Sequence, residues 1–302
     1  MIQVKGLTTN GRLHVNGIDL VNERNEVIQL TGMSSHGLQW YPEHTKKEAI
    51  AFTKKHGASL FRIAMYTDEE GYISHPEINK KNLIEAVDAA VELDMYVIID
   101  WHILADNNPQ QNKEEAKKFF DEISQKYAGV KNVIYEICNE PNGEDVTWEK
   151  DIRPYAVELI EVIRKNDKDA LILVGTACWS QYVDEAAKHP LEDHNYMFVA
   201  HFYAGTHGEE LMNRIDEARN AGLGIFMSEW GTTTADGKGG IVFVEETKKW
   251  IAFMNERNLS WANWSFGSRD ETSAALKPET KGGVYSEDSL TESGRFVFTL
   301  FE

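Results

Sequence analysis

The chain has little positive charge. It carries 31 Lys and Arg residues against 49 Asp and Glu residues, which gives a formal net charge of −18 at pH 7. Because no basic face is available to neutralise phosphate groups, we expect neither nucleic acid nor an anionic membrane as a partner. The acidity fits a neutral or cationic partner, and it equally fits a surface that only keeps the protein in solution.

Cysteine is also scarce. The two cysteines, Cys138 and Cys178, are too few for a disulfide framework, and we expect buried free thiols rather than a bridge. Cys and His residues do not recur at the spacing of zinc ligands. The sequence therefore predicts neither a metal site nor a cofactor.

Long apolar stretches are absent from the sequence. No run approaches the roughly 18 apolar residues that a membrane-spanning helix needs. Residues 1–30 also lack the basic start and apolar core of a signal peptide. We therefore expect either a cytoplasmic protein or a mature form from which a leader was removed.

What the chain does have is a regular series of short apolar runs. Successive runs end 27 to 38 residues apart, which is room for one strand and one crossover helix each time. Their apolar residues are nearly continuous, as in 96–99 and 171–174, which is typical of parallel strands buried on both faces. The eight candidate strands end near His36, Tyr66, His102, Glu140, Thr176, Tyr203, Trp230 and Phe266.

Segments with the 3.6-residue period of amphipathic helices lie between these runs. The helix predicted at 45–56 begins with a capping box, Thr45-Lys46-Lys47-Glu48. The other helices are predicted at 79–94, 113–128, 148–165, 208–221, 243–257 and 287–300, with a short one near 181–188.

Eight strand–helix units without an intervening linker predict an α/β fold, the (β/α)8 TIM barrel. Residues 1–28, with Asn16-Gly17 at the turn, predict a β-hairpin that closes the bottom of the barrel. We expect residues 1–302 to form a single domain, without a linker or a carbohydrate-binding module, and to act as a monomer.

Two glutamates stand at the ends of two of these apolar runs. Glu140 follows the run 133–137, and Glu229 follows the run 224–228. A carboxylate is costly to bury without a purpose, and barrel enzymes place functional side chains at the carboxyl ends of their strands. Paired carboxylates in such a place are what a retaining glycosidase needs.

Polar and aromatic residues end nearly every other strand as well. Taken singly, each has a structural explanation, because a histidine or tryptophan at a strand end is more often a core residue. Arg62, likewise, could simply pair with Glu136. The coincidence of so many such residues at one end of the barrel favours a functional site.

Together these residues resemble the motifs of glycoside hydrolase family 5. The motifs are Phe61-Arg62, Asp100-Trp101-His102, Asn139-Glu140-Pro141-Asn142-Gly143, His201-Phe202-Tyr203 and Ser228-Glu229-Trp230-Gly231. The stretch Trp261-Ala262-Asn263-Trp264, followed by 270–275, is similar to the bacillus-type endo-1,4-β-glucanases (cellulases) of that family. The resemblance covers essentially the whole chain from His36 onward, and it implies an endo-acting catalytic domain.

The resemblance implies that Glu229 is the nucleophile and Glu140 the acid/base. Arg62 would keep Glu229 ionised by its charge, and Tyr203 would do so by a hydrogen bond. Burial and the charge of Glu229 would raise the pKa of Glu140, so that it still holds a proton near neutral pH. We expect the two carboxyl groups to lie about 5–5.5 Å apart, the spacing of retaining enzymes.

Three further polar residues receive roles through the same resemblance. Asn139 would bond the 2-hydroxyl of the sugar ring being cleaved. His201 would orient either Glu140 or a sugar hydroxyl, and His102 is placed beside them. For His36 a structural role is as plausible as contact with substrate.

Aromatic rings offer apolar platforms for the faces of sugars. The resemblance places Trp40 and Trp264 on the glycone side of the scissile bond and Trp179 on the aglycone side. Tyr66 is expected to line the site as well.

The segment beyond the eighth strand departs from the family pattern. The family usually has Lys-Asp-Glu there, whereas this chain has Arg269-Asp270-Glu271. Because Arg is a planar fork and Lys a point charge, we expect the contacts of Arg269 and Glu271 with distal sugars to differ. The glycine-rich loop 232–240 would either flank the cleft or be a flexible surface loop.

The expected partner is a β-1,4-linked glucan or its cello-oligosaccharides, and we expect secretion because a polymer cannot enter a cell. A β-mannanase or a xyloglucan-active enzyme of the same family would use the same chemistry, and the signature at the eighth strand favours glucan. A metal-dependent barrel hydrolase is disfavoured because the sequence has no His-x-His motif. An inactive sugar-binding barrel is disfavoured because Glu140, Glu229 and Arg62 are all present.

Overall fold

The computed structural model describes residues 6–301. It opens with a short helix, α1 (Leu7–Asn10), and a β-hairpin made of β1 (His14–Asn16) and β2 (Asp19–Val21). The hairpin strands pair antiparallel, and Gly17 takes the positive φ of 64° that the tight turn requires. The hairpin predicted within residues 1–28, with its turn at Asn16-Gly17, is therefore confirmed, and residues 1–5 of that range lie outside the described residues.

Eight parallel strands follow and form a closed barrel. They are β3 (Thr31–Ser35), β4 (Leu60–Tyr66), β5 (Tyr96–His102), β6 (Val133–Glu136), β7 (Leu171–Val174), β8 (Tyr196–Tyr203), β9 (Ile225–Gly231) and β10 (Trp261–Phe266). Each strand pairs with its neighbours in chain order, and β10 pairs with β3 to close the ring. The predicted (β/α)8 barrel is confirmed.

Helices connect the strands on the outside of the barrel. They are α2 (Lys47–Lys55), α3 (Pro76–Glu92), α4 (Lys113–Lys126), α5 (Arg153–Asn166), α6 (Ala177–Ser180), α7 (Val183–Ala186), α8 (Glu209–Asn220), α9 (Val244–Glu256) and α10 (Glu292–Phe298). Single 3₁₀ turns occupy Pro42–Thr45, Glu287–Ser289 and Thr299–Phe301, and a five-residue π-helix occupies Trp148–Ile152. Within residues 6–301, every helix is too short or too polar to cross a membrane.

The apolar core has two layers. The outer layer lies between the strands and the helices, where α4, for example, buries Phe119 and Ile123 on its amphipathic face. The inner layer fills the lower part of the barrel with strand side chains such as Ile98 and Phe226. Leu13, just before β1, and Leu20, in β2, pack into this inner layer. The hairpin therefore covers the lower end of the barrel, and the polar side chains gather at its upper end.

Polar bonds also fasten the hairpin region to the bottom of the barrel. The hydroxyl of Tyr96 donates to the carbonyl of Gly11 at 2.5 Å. The backbone N–H of Val15 donates to Oδ1 of Asn195 at 2.9 Å, and Nδ2 of Asn195 donates to the carbonyl of Asp169 at 2.9 Å. These bonds give partners to backbone groups of the hairpin region and of the turn before β7.

The capping box predicted at Thr45 is wrong. Residues Pro42–Thr45 form a 3₁₀ turn, and the Thr45 hydroxyl donates to the Pro42 carbonyl at 2.9 Å. Helix α2 begins only at Lys47, and its N-cap residue, Lys46, makes no side-chain cap. Because Pro42 presets the turn, the hydroxyl bonds back into it rather than to the helix.

The expectation of two buried free thiols is correct for one of them. Both Cys138 and Cys178 are free, and Cys138 is buried, whereas Cys178 is half-buried. The reason is that Cys138 follows β6 into the core, while Cys178 sits in a turn at the rim of the barrel.

Candidate active site

A cavity of about 490 Å³ opens at the carboxyl end of the barrel strands. This is the end at which barrels of this kind carry their sites. Eleven of the residues predicted from the sequence line it: His36, Tyr66, His102, Glu140, Trp179, His201, Tyr203, Glu229, Trp264, Arg269 and Glu271. The other three predicted residues, Arg62, Asn139 and Trp40, are not among its lining residues.

The two glutamates approach each other in this cavity. Glu229 lies in β9, and Glu140 lies just beyond the end of β6; they are 4% and 8% exposed. One carboxylate oxygen of each, together with a ring nitrogen of His201, lies within 4.8 Å of the others. This approach fits the carboxyl spacing of about 5–5.5 Å in retaining glycosidases better than the roughly 6.5–9.5 Å of inverting ones.

Glu229 is held by one donor on each oxygen. Nη1 of Arg62 donates to Oε2 at 3.0 Å, and the hydroxyl of Tyr203 donates to Oε1 at 2.8 Å. Burial and the neighbouring Glu140 raise the pKa of Glu229, and the charge of Arg62 opposes this rise. The structure brings together Glu229 and the two partners predicted from the sequence. The net effect is nevertheless a raised pKa of Glu229, because burial raises it more than the charge of Arg62 lowers it.

Arg62 is fully buried and contacts carboxylates from three strands. Its Nε and Nη2 atoms donate to the two oxygens of Glu136, at 2.8 and 3.0 Å. Nη2 also lies 3.0 Å from Oδ2 of Asp100, and Nη1 reaches Glu229. The sequence offered pairing with Glu136 as an alternative to a functional role for Arg62, and in the structure the same guanidinium makes both contacts.

Asp100 and Glu136 were missed as site residues. They are neighbours on adjacent strands, paired in register across β5 and β6, and both are fully buried. Burial raises the pKa of Asp100 to about 7 and also raises the pKa of Glu136, in both cases against the effect of Arg62. The available signal was a charged residue inside an otherwise apolar run on each of three consecutive barrel strands.

Glu140 has a histidine as its neighbour. Its Oε1 lies 2.9 Å from Nδ1 of His201, so of the two partners considered for His201 the structure places it on Glu140. Burial raises the pKa of Glu140 to about 8 against the effect of Arg62. Burial lowers the pKa of His201 to about 4, so its ring is neutral at neutral pH.

Asn139 and His102 lie behind the carboxylates. Nδ1 of His102 lies 2.6 Å from Oδ2 of Asp100, and the side-chain amide of Asn139 donates to Nε2 of His102 at 3.2 Å. The same amide donates to the Ile103 carbonyl at 3.1 Å, while Oδ1 of Asn139 accepts from Arg62 at 2.6 Å. Asn139 is fully buried, so a bond to a sugar hydroxyl requires one of these bonds to open.

Aromatic side chains form the walls of the cavity. The rings of Tyr66 and Trp264 pack on His102, with centroids 4.1 and 5.3 Å from it. Trp179 also lines the cavity and is 46% exposed. Trp40 packs edge-on against Tyr66 at 4.9 Å and is 37% exposed, so it extends this wall past the cavity itself.

Trp179 is held in an unusual backbone turn. Cys178, Trp179 and Ser180 all have left-handed φ values, of 55°, 54° and 57°. For residues other than glycine this costs about 1–2 kcal/mol each, so the surroundings must hold the turn. The N–H of Trp179 donates to the Pro141 carbonyl at 3.0 Å, and the Ser180 hydroxyl donates to the Asn139 carbonyl at 2.6 Å. The turn is thereby bonded to the backbone on both sides of Glu140.

Arg269 links three residues in the outer part of the cavity. Its Nε lies 3.3 Å from Oε2 of Glu271, and its Nη1 lies 3.4 Å from Nε2 of His36. The guanidinium also lies 6.0 Å from the ring centroid of Trp40. Burial lowers the pKa of His36 to about 3, which keeps its ring neutral beside the arginine.

The loop 232–240 flanks the cavity, which is one of the two alternatives left open by the sequence. Its residues Ala235 to Lys238 are part of the lining. The N–H of Ala235 donates to the Thr206 hydroxyl, and the N–H of Gly240 donates to the Thr272 hydroxyl, each at 2.9 Å. No sequence signal pointed to three further lining residues on loops, Leu104, Gln181 and His207, whereas Ser273, which also lines the cavity, lies in the stretch 270–275 noted in the sequence.

Glu140, His201 and Glu229 carry atoms of the kind that bind metals. These atoms already have protein partners, because Glu140 and His201 contact each other and Arg62 and Tyr203 occupy the two oxygens of Glu229. A metal ion would have to compete with the buried guanidinium. The arrangement suits proton transfer and nucleophilic attack.

Comparisons with known proteins agree with this chemistry. The model of the family described as cellulase (glycosyl hydrolase family 5) matches residues 21–270. Endoglucanase A of Evansella cellulosilytica is 54% identical over 272 residues, which cover 89% of this chain and 55% of that protein. Endoglucanase 5 of Pectobacterium carotovorum subsp. carotovorum is 49% identical over 291 residues, which cover 96% and 57%. The chain thus spans a little over half the length of these two relatives.

Solved structures show the same architecture. The catalytic domain of the Thermobifida fusca endoglucanase Cel5A, solved in complex with cellotetraose, superposes with a TM-score of 0.93. It is 35% identical, and 98% of each chain is covered. A cellulase named Cel5C_n is 40% identical with a TM-score of 0.93, covering 100% of this chain and 95% of that one.

Proposed function

The chain belongs to glycosyl hydrolase family 5, and from that premise we propose that it is an endo-acting, retaining β-1,4-glucanase. The observation that carries the proposal is the approach of Glu140 and Glu229 to within 4.8 Å at the carboxyl end of the barrel. The endoglucanase names of relatives at 49% and 54% identity support the reaction. Cellotetraose bound to the Thermobifida relative supports a glucan or cello-oligosaccharide as the substrate.

In the first step Glu229 is the nucleophile and Glu140 the acid. The Glu229 carboxylate attacks the anomeric carbon as the bond from that carbon to the glycosidic oxygen breaks. Glu140 gives its proton to the departing oxygen, and a glycosyl ester remains on Glu229. The pKa of Glu140, raised to about 8 by burial, supports a protonated acid at neutral pH.

In the second step Glu140 is the base. As a carboxylate it takes a proton from water while the water oxygen attacks the anomeric carbon, and Glu229 departs as a carboxylate. The two displacements together retain the anomeric configuration. The donors on the two oxygens of Glu229, Arg62 and Tyr203, support both its ionised form before attack and its departure afterwards.

Exposed aromatic rings support attack within a chain rather than at its end. Trp40 and Trp179 are 37% and 46% exposed, which leaves large apolar faces open to solvent at the site. In the proposed enzyme Trp264 and Tyr66 hold the glycone next to the carboxylates, with Trp40 beyond them. Trp179 holds the aglycone, and Asn139 bonds the 2-hydroxyl once one of its protein contacts opens.

The proposed substrate also bears on where and how the protein acts. A polysaccharide cannot enter a cell, and we propose on this ground that the enzyme is secreted. We further propose that the protein works as a monomer.

Release of new reducing ends from carboxymethylcellulose, glucomannan and β-mannan tests the proposal. We expect activity on carboxymethylcellulose that is lost in Glu229→Ala and kept in Glu161→Ala, a matched change at an exposed position on α5. NMR of the first product should show the β-anomer. Activity mainly on β-mannan would contradict the glucan specificity, and an α-anomer would contradict retention. Activity that survived in Glu229→Ala would contradict the two-carboxylate mechanism.

A further inference from the structure

A continuous chain of polar contacts leads from Glu140 into the barrel. Nδ1 of His201 lies 2.9 Å from Oε1 of Glu140, and Nε2 of the same ring lies 2.9 Å from the hydroxyl of Ser228. That hydroxyl donates to Oε1 of Glu136 at 2.8 Å. Arg62 holds Glu136 at both oxygens, and each of these residues, taken whole, is at least nine-tenths buried.

The inner end of this chain determines the direction of its hydrogen bonds. Arg62 pairs with both oxygens of Glu136, which favours a carboxylate that can only accept. Ser228 has one hydroxyl proton and gives it to Glu136, so toward His201 its oxygen can only accept. The proton of a neutral His201 ring therefore belongs on Nε2, and the lone pair of Nδ1 faces Glu140.

On the basis of the proposed hydrolysis, we propose that Ser228 and Glu136 are positioning residues that hold His201 in its Nε2-protonated tautomer. With that tautomer Nδ1 can only accept from Glu140, and a hydrogen bond to the protonated form of a carboxyl group favours that form. The opposite tautomer would donate from Nδ1 and favour the carboxylate. Two residues that lie behind the histidine thus keep the acid proton on Glu140.

The tautomer serves both steps of the reaction. In the first step the O–H of Glu140 turns from Nδ1 to the glycosidic oxygen, and its proton leaves with the departing sugar as Glu229 bonds the anomeric carbon. In the second step the Glu140 carboxylate lies beside the Nδ1 lone pair, which makes it a stronger base toward water. The proton taken from water makes Glu140 a carboxylic acid again, and its O–H again donates to Nδ1 of His201.

The other titratable groups that face this pair come from four strands and the segments beyond them. They are Arg62 and Tyr66 on β4, Asp100 and His102 on β5, Tyr203 on β8 with His207 beyond it, and Glu229 on β9. Arg62 favours the Glu140 carboxylate, and Asp100 opposes it. A change at Ser228 leaves all these charges in place. Its effect on the pKa of Glu140 therefore reports the tautomer of His201 rather than a change in the surrounding charges.

The ring nitrogens of His201 test the tautomer without substrate. The protein has ten histidines, all of which give signals when it is labelled with ¹⁵N-histidine. The signals of His201 are identified as those that are missing from the spectrum of His201→Gln. We expect a neutral ring protonated at Nε2 at neutral pH. A neutral ring protonated at Nδ1, or an imidazolium, would overturn the proposal. Because no substrate is present, this outcome is separate from any failure of the proposed hydrolysis.

Ser228→Ala tests the role of the hydroxyl. We expect the His201 proton to move to Nδ1 and the alkaline limb of kcat/KM on cellopentaose to move about one pH unit toward acid, which is about a tenfold loss above the limb. The leaving group of 2,4-dinitrophenyl cellobioside needs no proton, so the pH profile of kcat/KM on this substrate should not shift in Ser228→Ala. Ser228→Thr keeps the hydroxyl and should restore both readouts. A Ser228→Ala variant with the wild-type tautomer and limb would overturn the assignment.

Discussion

Nη1 of Arg62 lies 3.0 Å from Oε2 of Glu229, while the rest of the same guanidinium is bound to Glu136 and Asp100. The proposed nucleophile therefore shares its cation with two carboxylates that take no direct part in the reaction. Removing Arg62 would leave all three buried carboxylates without their common partner. Its effects on stability and on catalysis must therefore be measured together.

We expect Arg62→Gln to lower the free energy of unfolding by about 3–5 kcal/mol at pH 8, the usual cost of breaking a buried ion pair. The loss should shrink as the pH falls toward 5. Without Arg62, the pKa of each buried carboxyl rises further above its unfolded value. A carboxyl group whose pKa is higher in the folded than in the unfolded protein destabilises the fold as the pH rises from the unfolded pKa to the folded pKa. Urea unfolding of wild type and variant at both pH values measures this difference.

Arg257→Gln is the matched control for that experiment. Arg257 pairs with Asp216 at 2.6 Å near the surface, where such a pair contributes no more than about 1 kcal/mol. A loss that was equal in the two variants, or that did not depend on pH in Arg62→Gln, would contradict the account of a buried carboxylate cluster.

The rate should depend on pH with a bell-shaped profile. Activity falls as the pH rises through about 8, because Glu140 then loses the proton it must donate. It falls at acid pH as Glu229 is protonated, at a pKa above the usual value of 4.5 because of burial. Both limbs belong to the coupled pair rather than to one residue. The profile of kcat/KM on cellopentaose measures them.

Glu140→Gln removes the proton donor and should remove the alkaline limb with it. With 2,4-dinitrophenyl cellobioside the first step needs no acid, so the variant should form the glycosyl-enzyme at a rate that is flat above neutral pH. Persistence of the same alkaline limb in this variant would show that another group titrates there.

Trp179 allows stability and substrate binding to be separated. Its φ of 54° is strained for any residue except glycine, so Trp179→Gly should raise the free energy of unfolding by about 1 kcal/mol relative to Trp179→Ala. Both variants should lose about tenfold in kcat/KM on cellotetraose, a loss of about 1.4 kcal/mol. Activity on an aryl cellobioside, which has no sugar on the aglycone side, should change little. An equal loss on both substrates would contradict an aglycone platform.

Arg269→Lys should weaken binding of longer oligosaccharides while leaving the chemical step intact. A lysine cannot contact His36, Glu271 and Trp40 at once as the guanidinium does. We expect KM for cellohexaose to rise about threefold, with kcat on an aryl cellobioside unchanged. A fall in that kcat would instead place Arg269 close to the reacting atoms.

The barrel could be predicted from the sequence because its signals are local and repeated. Each apolar run in the sequence is followed by polar residues. The eight strand ends predicted from these runs fall at or close to the observed ends of β3 to β10. Helix boundaries were less predictable. The Thr45 hydroxyl bonds to the Pro42 carbonyl of its own 3₁₀ turn, which the Thr-x-x-Glu pattern alone does not reveal.

The two carboxylates of the proposed mechanism were predictable because each ends an apolar run, whereas the orientation of the residues behind them was not. Asp100 and Glu136 lie inside runs in which both faces are buried, so sequence alternation does not reveal which side chains point into the barrel. The left-handed turn at Trp179 left no signal either, since it contains no glycine. Its conformation depends on carbonyls of Asn139 and Pro141, on a different strand connection.

The order of strands around the ring has a consequence for how activity arises during folding. Glu140 follows β6, whereas its partner Glu229 arrives on β9, which must insert between β8 and β10. A chain that has assembled only the strands up to β8 holds the proposed proton donor and Arg62 but lacks the proposed nucleophile. In the proposed mechanism hydrolysis therefore requires β9 in place, and two fragments divided between β7 and β8 would regain it only by bringing Glu140 and Glu229 together again.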